Sequence, residues 1–280
     1  MKIDPISRYM LHRVGNIKED RNRGPVLLMY HAITTGNQKV SSKYSVSLTQ
    51  FTEQLDLLKQ MDWKTQRVCD LGDARNLTRR TAVLTFDDGY MDNYERAYLE
   101  LRKRAMRGTW FAVTGYIGSQ AHWLGITGDE TKLMSTEQLR EMARNGMEIG
   151  SHTLTHPDLT TLGQSDLDRE IVKSRFELED FLGQPVRSFA YPYGRLNQRI
   201  ISTVRRAGYS YACTTRPGWF HSHKDPLRLR RVTVFSGDTL GDFSRKLVFA
   251  DNDVSWGKMR SYFWRRMIAR LGFVCKENYG

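Results

Sequence analysis

The chain has 280 residues, 40% of them hydrophobic, enough to bury one substantial core, and α/β barrels commonly use this length as a single domain. A formal charge of +12 and a pI of about 9.7 draw it to anionic partners such as nucleic acid, an anionic membrane face or a charged glycan, without choosing among them. Cys69, Cys213 and Cys275 are an odd number without metal-type spacing, so no disulfide framework is implied. The opening residues lack a signal peptide's apolar core and no run reaches the ~20 apolar residues that span a bilayer, so the chain reads as cytoplasmic.

In chain order, Asp4-Pro5 reads as an N-cap with proline at the first helical position and Gly15 as a stop. A short helix is predicted, with Ile6, Tyr9, Met10 and Val14 on one side, lying over one end of the fold. Residues 25–31, PVLLMYH, predict a buried strand ending at His31, where a core histidine and a functional one both fit. A polar loop over 32–48 follows, then a helix over 49–61 with Phe51, Leu55, Leu58 and Met61 inward, and a short strand over 66–68.

Residues 82–86 form the next buried strand, and Asp87-Asp88-Gly89 stands at its C-terminal end, where parallel α/β folds place their chemistry. Side chains alternate along a strand, so neighbouring aspartates reach one centre only where the strand ends and the chain turns, as Gly89 permits. Like charges that close require a cation or a shared proton.

A helix over 92–104 and a strand over 108–113 lead to a glycine-punctuated connection over 114–134, as expected of a loop bordering a cleft. His122 and Trp123 lie in it. Ser135 opens a helix with Leu139 and Met142 facing in, and Gly146 ends it. The strand 147–150 leads into Ser151-His152-Thr153-Leu154-Thr155-His156. Its histidines are four apart, so one helical turn would bring both imidazoles to the same side. Two imidazoles and a carboxylate form a zinc-type ligand set with an open position.

Further on are a helix over 166–182, a strand over 186–191 ending at Pro192-Tyr193-Gly194, a helix over 197–207, strands over 209–213 and 229–234, and a last helix over 239–249. The loop 216–226 holds Trp219, Phe220, His221 and His223. Strands alternating with helices predict a parallel sheet that closes on itself. In the tail, Met259, Phe263, Trp264, Met267, Ile268, Leu271 and Val274 recur at helical spacing opposite Lys258, Arg265, Arg266 and Arg270. Such a basic amphipathic helix fits a membrane interface or the barrel surface. No helix-turn-helix, zinc-finger or stacking-sheet pattern accompanies the charge, so no nucleic-acid partner is expected.

Three motifs, Thr85 to Gly89, His152 to His156, and Ala190-Tyr191-Pro192-Tyr193-Gly194, occur in the order in which the polysaccharide deacetylase family, the NodB-homology carbohydrate esterases, carries its own. The chain resembles that family over roughly 25–250, with an N-terminal helix and loop over 1–24 and a C-terminal helix over 251–280. The resemblance implies a distorted (β/α)7 barrel. It implies a hydrolase that removes the N-acetyl group from an N-acetylhexosamine unit of a polysaccharide or lipid-linked glycan precursor. A divalent ion, expected to be zinc with cobalt or nickel as alternatives, would sit on Asp88, His152 and His156. Asp87 would be the base, and the backbone N–H of Tyr193, beside Pro192, would help hold the oxyanion. Trp219 is a candidate substrate contact.

The sequence departs from the family pattern at two points. Most members place an arginine two residues before the motif proline, where this chain has Ala190. Arg231 is the candidate to replace it and orient Asp87; an exposed arginine at the barrel end is the other reading. No Leu-x-His stretch occurs near the C-terminus. The strand ending at His31 instead resembles the circularly permuted poly-N-acetylglucosamine deacetylase branch, which makes His31 the candidate general acid. The lack of an export signal together with the basic ends suggests work at the inner face of a membrane, on a saccharide carried by a lipid phosphate. Loss of an O-acetyl or N-formyl group would use the same machinery. A silent glycan-binding scaffold is the remaining reading, and two adjacent unpaired carboxylates speak against it.

Overall fold

A computed structural model describes residues 3–14, 24–35, 43–72, 77, 78, 80–126, 128–221, 224–261 and 264. Among these the strands are β1 (Val26–Tyr30), β2 (Ile33–Thr34), β3 (Val46–Ser47), β4 (Lys64–Gln66), β5 (Thr81–Phe86), β6 (Thr109–Ala112), β7 (Glu148–Ser151), β8 (Ser188–Ala190), β9 (Tyr211–Cys213) and β10 (Val232–Thr233). The α-helices are α1 (Pro5–Val14), α2 (Leu48–Gln60), α3 (Leu99–Lys103), α4 (Thr136–Arg144), α5 (Gln164–Asp168), α6 (Ser174–Leu182), α7 (Gln198–Arg206) and α8 (Leu240–Phe249).

Seven parallel strands run in the order β10-β1-β5-β6-β7-β8-β9, and β4 pairs with the start of β5 outside that path. The chain just before β10 completes the wall: Cys213 bridges Leu229, with Leu229 N–H donating to Ala212 O and Thr214 N–H to Leu229 O, both at 2.8 Å. The sheet thus curls into the expected distorted (β/α)7 barrel. Every residue of β1, β5, β6, β7 and β8 is buried, because helices cover the outside and side chains fill the inside. The N-terminal end is plugged by polar groups around buried Glu148. Its carboxylate accepts from Thr109 Oγ1 (2.8 Å), Ser188 Oγ (2.5 Å) and Cys69 N–H (3.0 Å).

Most expected helices are present, and capping fixes their starts. Ser47, Ser135 and Thr239 each form a reciprocal capping box, opening α2, α4 and α8. The predicted helices over 92–104 and 166–182 each contain a π-helical turn, Asn93–Tyr98 and Arg169–Lys173.

Two expectations are corrected. The stretch 32–48 is not all loop, since β2 and β3 pair in parallel within it. Among the α1 side chains that are described, Ser7 and Leu11 are buried, while Ile6 and Tyr9 are 55% and 57% exposed. The helix packs along α8. A polar anchor sets that rotation: Arg245 Nη1 donates to Ser7 Oγ at 2.9 Å and pairs with Asp4 at 3.4 Å. Most of the tail, including Phe263, Met267, Ile268, Leu271 and Val274, lies outside the described residues, as do Cys275 and His223.

Candidate active site

β5 hands its last residue, Phe86, to a turn that separates the two carboxylates. Asp87 N–H donates to Tyr30 O at 3.0 Å, continuing the ladder with β1, while Asp88 and Gly89 take φ of 75° and 83°. Two successive left-handed residues reverse the chain, and aspartate and glycine are the residue types that tolerate this. Asp87 therefore faces the barrel axis and Asp88 the histidines, and each carboxylate has its own partners.

For Asp87 the partner is Arg231. Arg231 Nη1 and Nη2 donate to Oδ1 and Oδ2 at 2.6 and 2.7 Å, a bidentate fork. Nε donates to Thr214 O at 2.9 Å, Nη1 also to Thr85 Oγ1 at 3.1 Å, and the guanidinium lies 5.6 Å from the Phe111 ring centre. Arg231 is 0% exposed, so it is not the exposed barrel-end arginine of the alternative reading. Burial works to raise the Asp87 pKa, but the charge and hydrogen bonds of Arg231 outweigh it and hold the carboxyl at about 2.

The imidazoles do meet, though not through a helical turn. His152 continues from β7, Thr153 and His156 take φ of 71° and 61°, and the segment is irregular. It is held by side chains: Thr153 Oγ1 accepts from His156 N–H at 3.0 Å and Ser151 Oγ from Thr153 N–H at 3.2 Å. Buried Glu170 accepts from Leu154 N–H (3.0 Å), Thr155 N–H (2.9 Å) and Thr155 Oγ1 (2.7 Å). Both Nε2 atoms end 3.5 Å from Asp88 Oδ1. Burial, opposed chiefly by the Asp87 charge, depresses His152 and His156 to about 4, so both rings are neutral at neutral pH.

Among the described residues this is the group of donors able to hold a metal ion, with ligand atoms within 4.8 Å of one another. The donor chemistry fits a divalent cation. His152 Nδ1 lies 2.8 Å from Ala190 O, which fixes that nitrogen as the N–H and leaves Nε2 its lone pair. Two neutral imidazoles and one buried carboxylate form a zinc-type set.

The third motif forms the opposite wall. Pro192 is buried at the start of a 3₁₀ turn, Pro192–Gly194, and Tyr193 sits within it at φ 58°. The Tyr193 ring is 54% exposed and stands edge-on to His156 at 4.7 Å. Gly194 is required, because at φ 68° a Cβ would fall 2.0 Å from Thr215 Oγ1. Tyr191, by contrast, is structural: its hydroxyl donates to Leu227 O at 2.9 Å.

His31 follows β1 at the same end, and its charge would act on both Asp87 and His156. Its Nδ1 is buried although the residue as a whole is half-buried, and Tyr44 covers one ring face at 4.8 Å. Trp123, from the glycine-rich connection, stacks on His156 at 4.9 Å and 24° and contacts Tyr116 at 5.7 Å. Trp219 is partly buried against the core. Its neighbour Phe220 donates N–H to Pro25 O at 3.0 Å, at the entry of β1 and so at the end opposite His31. The loop 216–221 is thus tethered at Phe220 to the entry of β1, while at its start Arg216 O accepts from Arg231 N–H at 2.9 Å. Nothing local in the chain marks Glu170 or Tyr44, whose partners are backbone groups and a ring remote in sequence.

A family model described as polysaccharide deacetylase matches residues 74–212. The Bacillus subtilis protein YxkH is 29% identical over 225 residues, covering 79% of this chain and 75% of that protein. A Staphylococcus aureus poly-beta-1,6-N-acetyl-D-glucosamine N-deacetylase is 25% identical over 237 residues, covering 74% of this chain and 80% of its own length. Among solved structures, IcaB from Ammonifex degensii superposes with a TM-score of 0.69 at 26% identity, covering 81% of this chain and 97% of that one.

Proposed function

The chain belongs to the polysaccharide deacetylase family and is a hydrolase of a linear amide bond, and from this we propose a metal-dependent N-deacetylase acting on an N-acetylhexosamine unit of a polysaccharide or lipid-linked glycan precursor. The observation that carries the reading is the buried Asp88, His152, His156 cluster beside the Asp87–Arg231 pair. The substrate class is supported by the similarity to a poly-N-acetylglucosamine deacetylase.

A divalent ion on Asp88, His152 and His156, zinc by the donor set, would polarise the acyl carbonyl and lower the pKa of the attacking water. Asp87 takes a proton from that water. Held at about 2, it is ionised at any working pH, and each oxygen keeps a lone pair beyond the one spent on Arg231. So low a proton affinity makes Asp87 a transient acceptor. His31 Nε2 gives a proton to the amine nitrogen as the C–N bond breaks, which turns a poor leaving group into a neutral amine. The Tyr193 backbone N–H is assigned to the oxyanion, a role worth about 2.7–4 kcal/mol where comparable donors were removed.

Acetate release from N-acetylhexosamine oligomers and lipid-linked saccharides tests this with zinc-loaded protein, chelated protein and Asp87→Asn. Release that needs metal and disappears in the variant is expected. Tight zinc binding with no cleavage of any substrate would refute the proposed chemistry.

For location we propose the cytoplasmic face of a membrane. No helix among the described residues is long and apolar enough to cross one. The support is the exposure of Ile6, Tyr9, Trp256 and Trp264 together with that of Arg8 and Arg260. α1 and the 256–261 segment meet there at Arg245, whose guanidinium lies 4.6 Å from the Trp256 ring centre. Full-length protein should partition onto anionic liposomes and a form lacking 255–280 should not; absence of partitioning by the full chain would sink this placement.

A further inference from the structure

Near the site, the buried polar atoms without a hydrogen-bond partner among the described residues include Nδ1 of His156, Nδ1 of His31 and Oδ1 of Asn93. The last two belong to residues already joined, because Asn93 Nδ2 donates to the His31 carbonyl at 2.8 Å. The same amide nitrogen donates to Asp92 Oδ1 at 2.5 Å. Both neighbours of Nδ2 are acceptors, which settles the orientation of the amide. Exchanging oxygen and nitrogen would press Oδ1 against a carbonyl and a carboxylate. Oδ1 is therefore an acceptor without a donor, and His31 Nδ1 is a nitrogen that must shed an N–H into something whenever the ring carries two protons.

Asn93 is 0% exposed and opens the π-helical turn Asn93–Tyr98, whose first residue is brought under the chain leaving β1. The neighbouring Arg96 Nη1 donates to Ile33 O at 2.6 Å and ties the same turn to β2. Single π turns recur at functional positions because they re-aim one side chain of a helix. Here the side chain re-aimed is the amide that holds the main-chain carbonyl of His31, whose ring is covered on one face by Tyr44.

Resting on the reading of His31 as general acid, we propose that Asn93 is a positioning residue for it: Asn93 Oδ1 accepts the Nδ1–H of the His31 ring through one buried water. In the charged ring, Nδ1–H goes to Asn93 and Nε2–H points into the cleft. As the C–N bond breaks, the Nε2 proton moves to the amine nitrogen, and His31 is left neutral with its remaining proton on Nδ1, still held by Asn93. The amide thus fixes both the ring plane and the tautomer in which the acid ends its step.

The test uses full-length zinc-loaded protein and two substrates that differ in leaving group. An N-acetylglucosamine oligomer loses an amine that must be protonated; 4-nitrophenyl acetate loses a phenolate that needs no acid. Asn93→Ala should lower kcat on the oligomer about ten- to a hundredfold with KM little changed, so the oligomer-to-aryl-acetate rate ratio falls. His31→Gln should lower that ratio further. An equal loss on both substrates in Asn93→Ala would make Asn93 structural and overturn the proposal alone. A ratio unchanged in His31→Gln would overturn the reading of His31 and the proposal with it. Should Asn93→Ala fail to fold, ¹⁵N NMR of the native protein decides: a neutral His31 protonated on Nδ1 supports the proposal, and one protonated on Nε2 overturns it.

Discussion

Replacing Arg231 with methionine removes the cation that holds Asp87 in place while keeping a side chain of similar reach. In the native protein Arg231 is wholly buried and spends Nε, Nη1 and Nη2 on Thr214 O, Thr85 Oγ1 and both Asp87 oxygens. The Asp87 pKa of about 2 against an ordinary 3.8 is already net of the opposing effect of burial. The net preference for the ionised form is about 2 kcal/mol. Without Arg231 the burial effect is opposed only by the weaker influence of His152 and His31, so the pKa must rise. Breaking a buried pair from one side costs about 3–5 kcal/mol, because the orphaned charge stays inside. The single variant should therefore lose about that much at pH 7 in urea unfolding. Part should return as pH falls and Asp87 takes up a proton. The double variant Arg231→Met/Asp87→Asn should be more stable than Arg231→Met alone at pH 7, with a coupling energy measurable in a double-mutant cycle. The sign is clear: a depressed carboxylate pKa stabilises the native state above pH 3.8 and is lost as pH drops towards 2. If Arg231→Met unfolds at the native urea midpoint, and its acid limb of kcat/KM stays where the native one is, the pair is not what orients Asp87 and the reasoning fails.

Three further outcomes are expected. Metal-free protein should lose stability as pH falls from 6.5 to 4, because His152 and His156 stay neutral in the native state down to about 4 while the unfolded chain takes up protons from 6.5. The loss is about 3 kcal/mol per ring when complete, read by urea midpoints across pH, and a flat profile over that window would contradict it. Glu170→Ala strips the acceptor from Leu154 N–H, Thr155 N–H and Thr155 Oγ1, and should weaken zinc binding about 10–100-fold in a chelator competition. Lys246→Met should cost about 3–5 kcal/mol at pH 7, since Lys246 is 0% exposed and pairs with Asp238. Some of that cost should be recovered at lower pH, where Asp238, already raised by burial, is protonated.

The strand ends and the three motifs could be read directly from the chain. Apolar runs such as 82–86 mark a buried strand by composition alone, and a carboxylate pair or histidine pair at its end is local information. That sufficed to find Asp87, Asp88, His152 and His156, and a histidine closing β1. Capping chemistry placed the start of α4 at Ser135 for the same reason, since a cap and its third residue are neighbours.

What the sequence could not decide depends on barrel closure. Arg231 reaches Asp87 across 144 residues and Asn93 reaches His31 across 62, so neither contact has a local signature. The histidine pair was legible as a pair but not in its conformation. Spacing of four suggests a helical turn, whereas Glu170, fifteen and sixteen residues on, draws the segment into an irregular loop by taking two of its N–H groups. On α1, hydrophobicity pointed to Ile6 and Tyr9, yet Arg245 reaching Ser7 and Asp4 from α8 turned those residues outward. Local chemistry names the reacting groups; only the closed barrel, by burying distant charges together, decides which of them are held in place and by what.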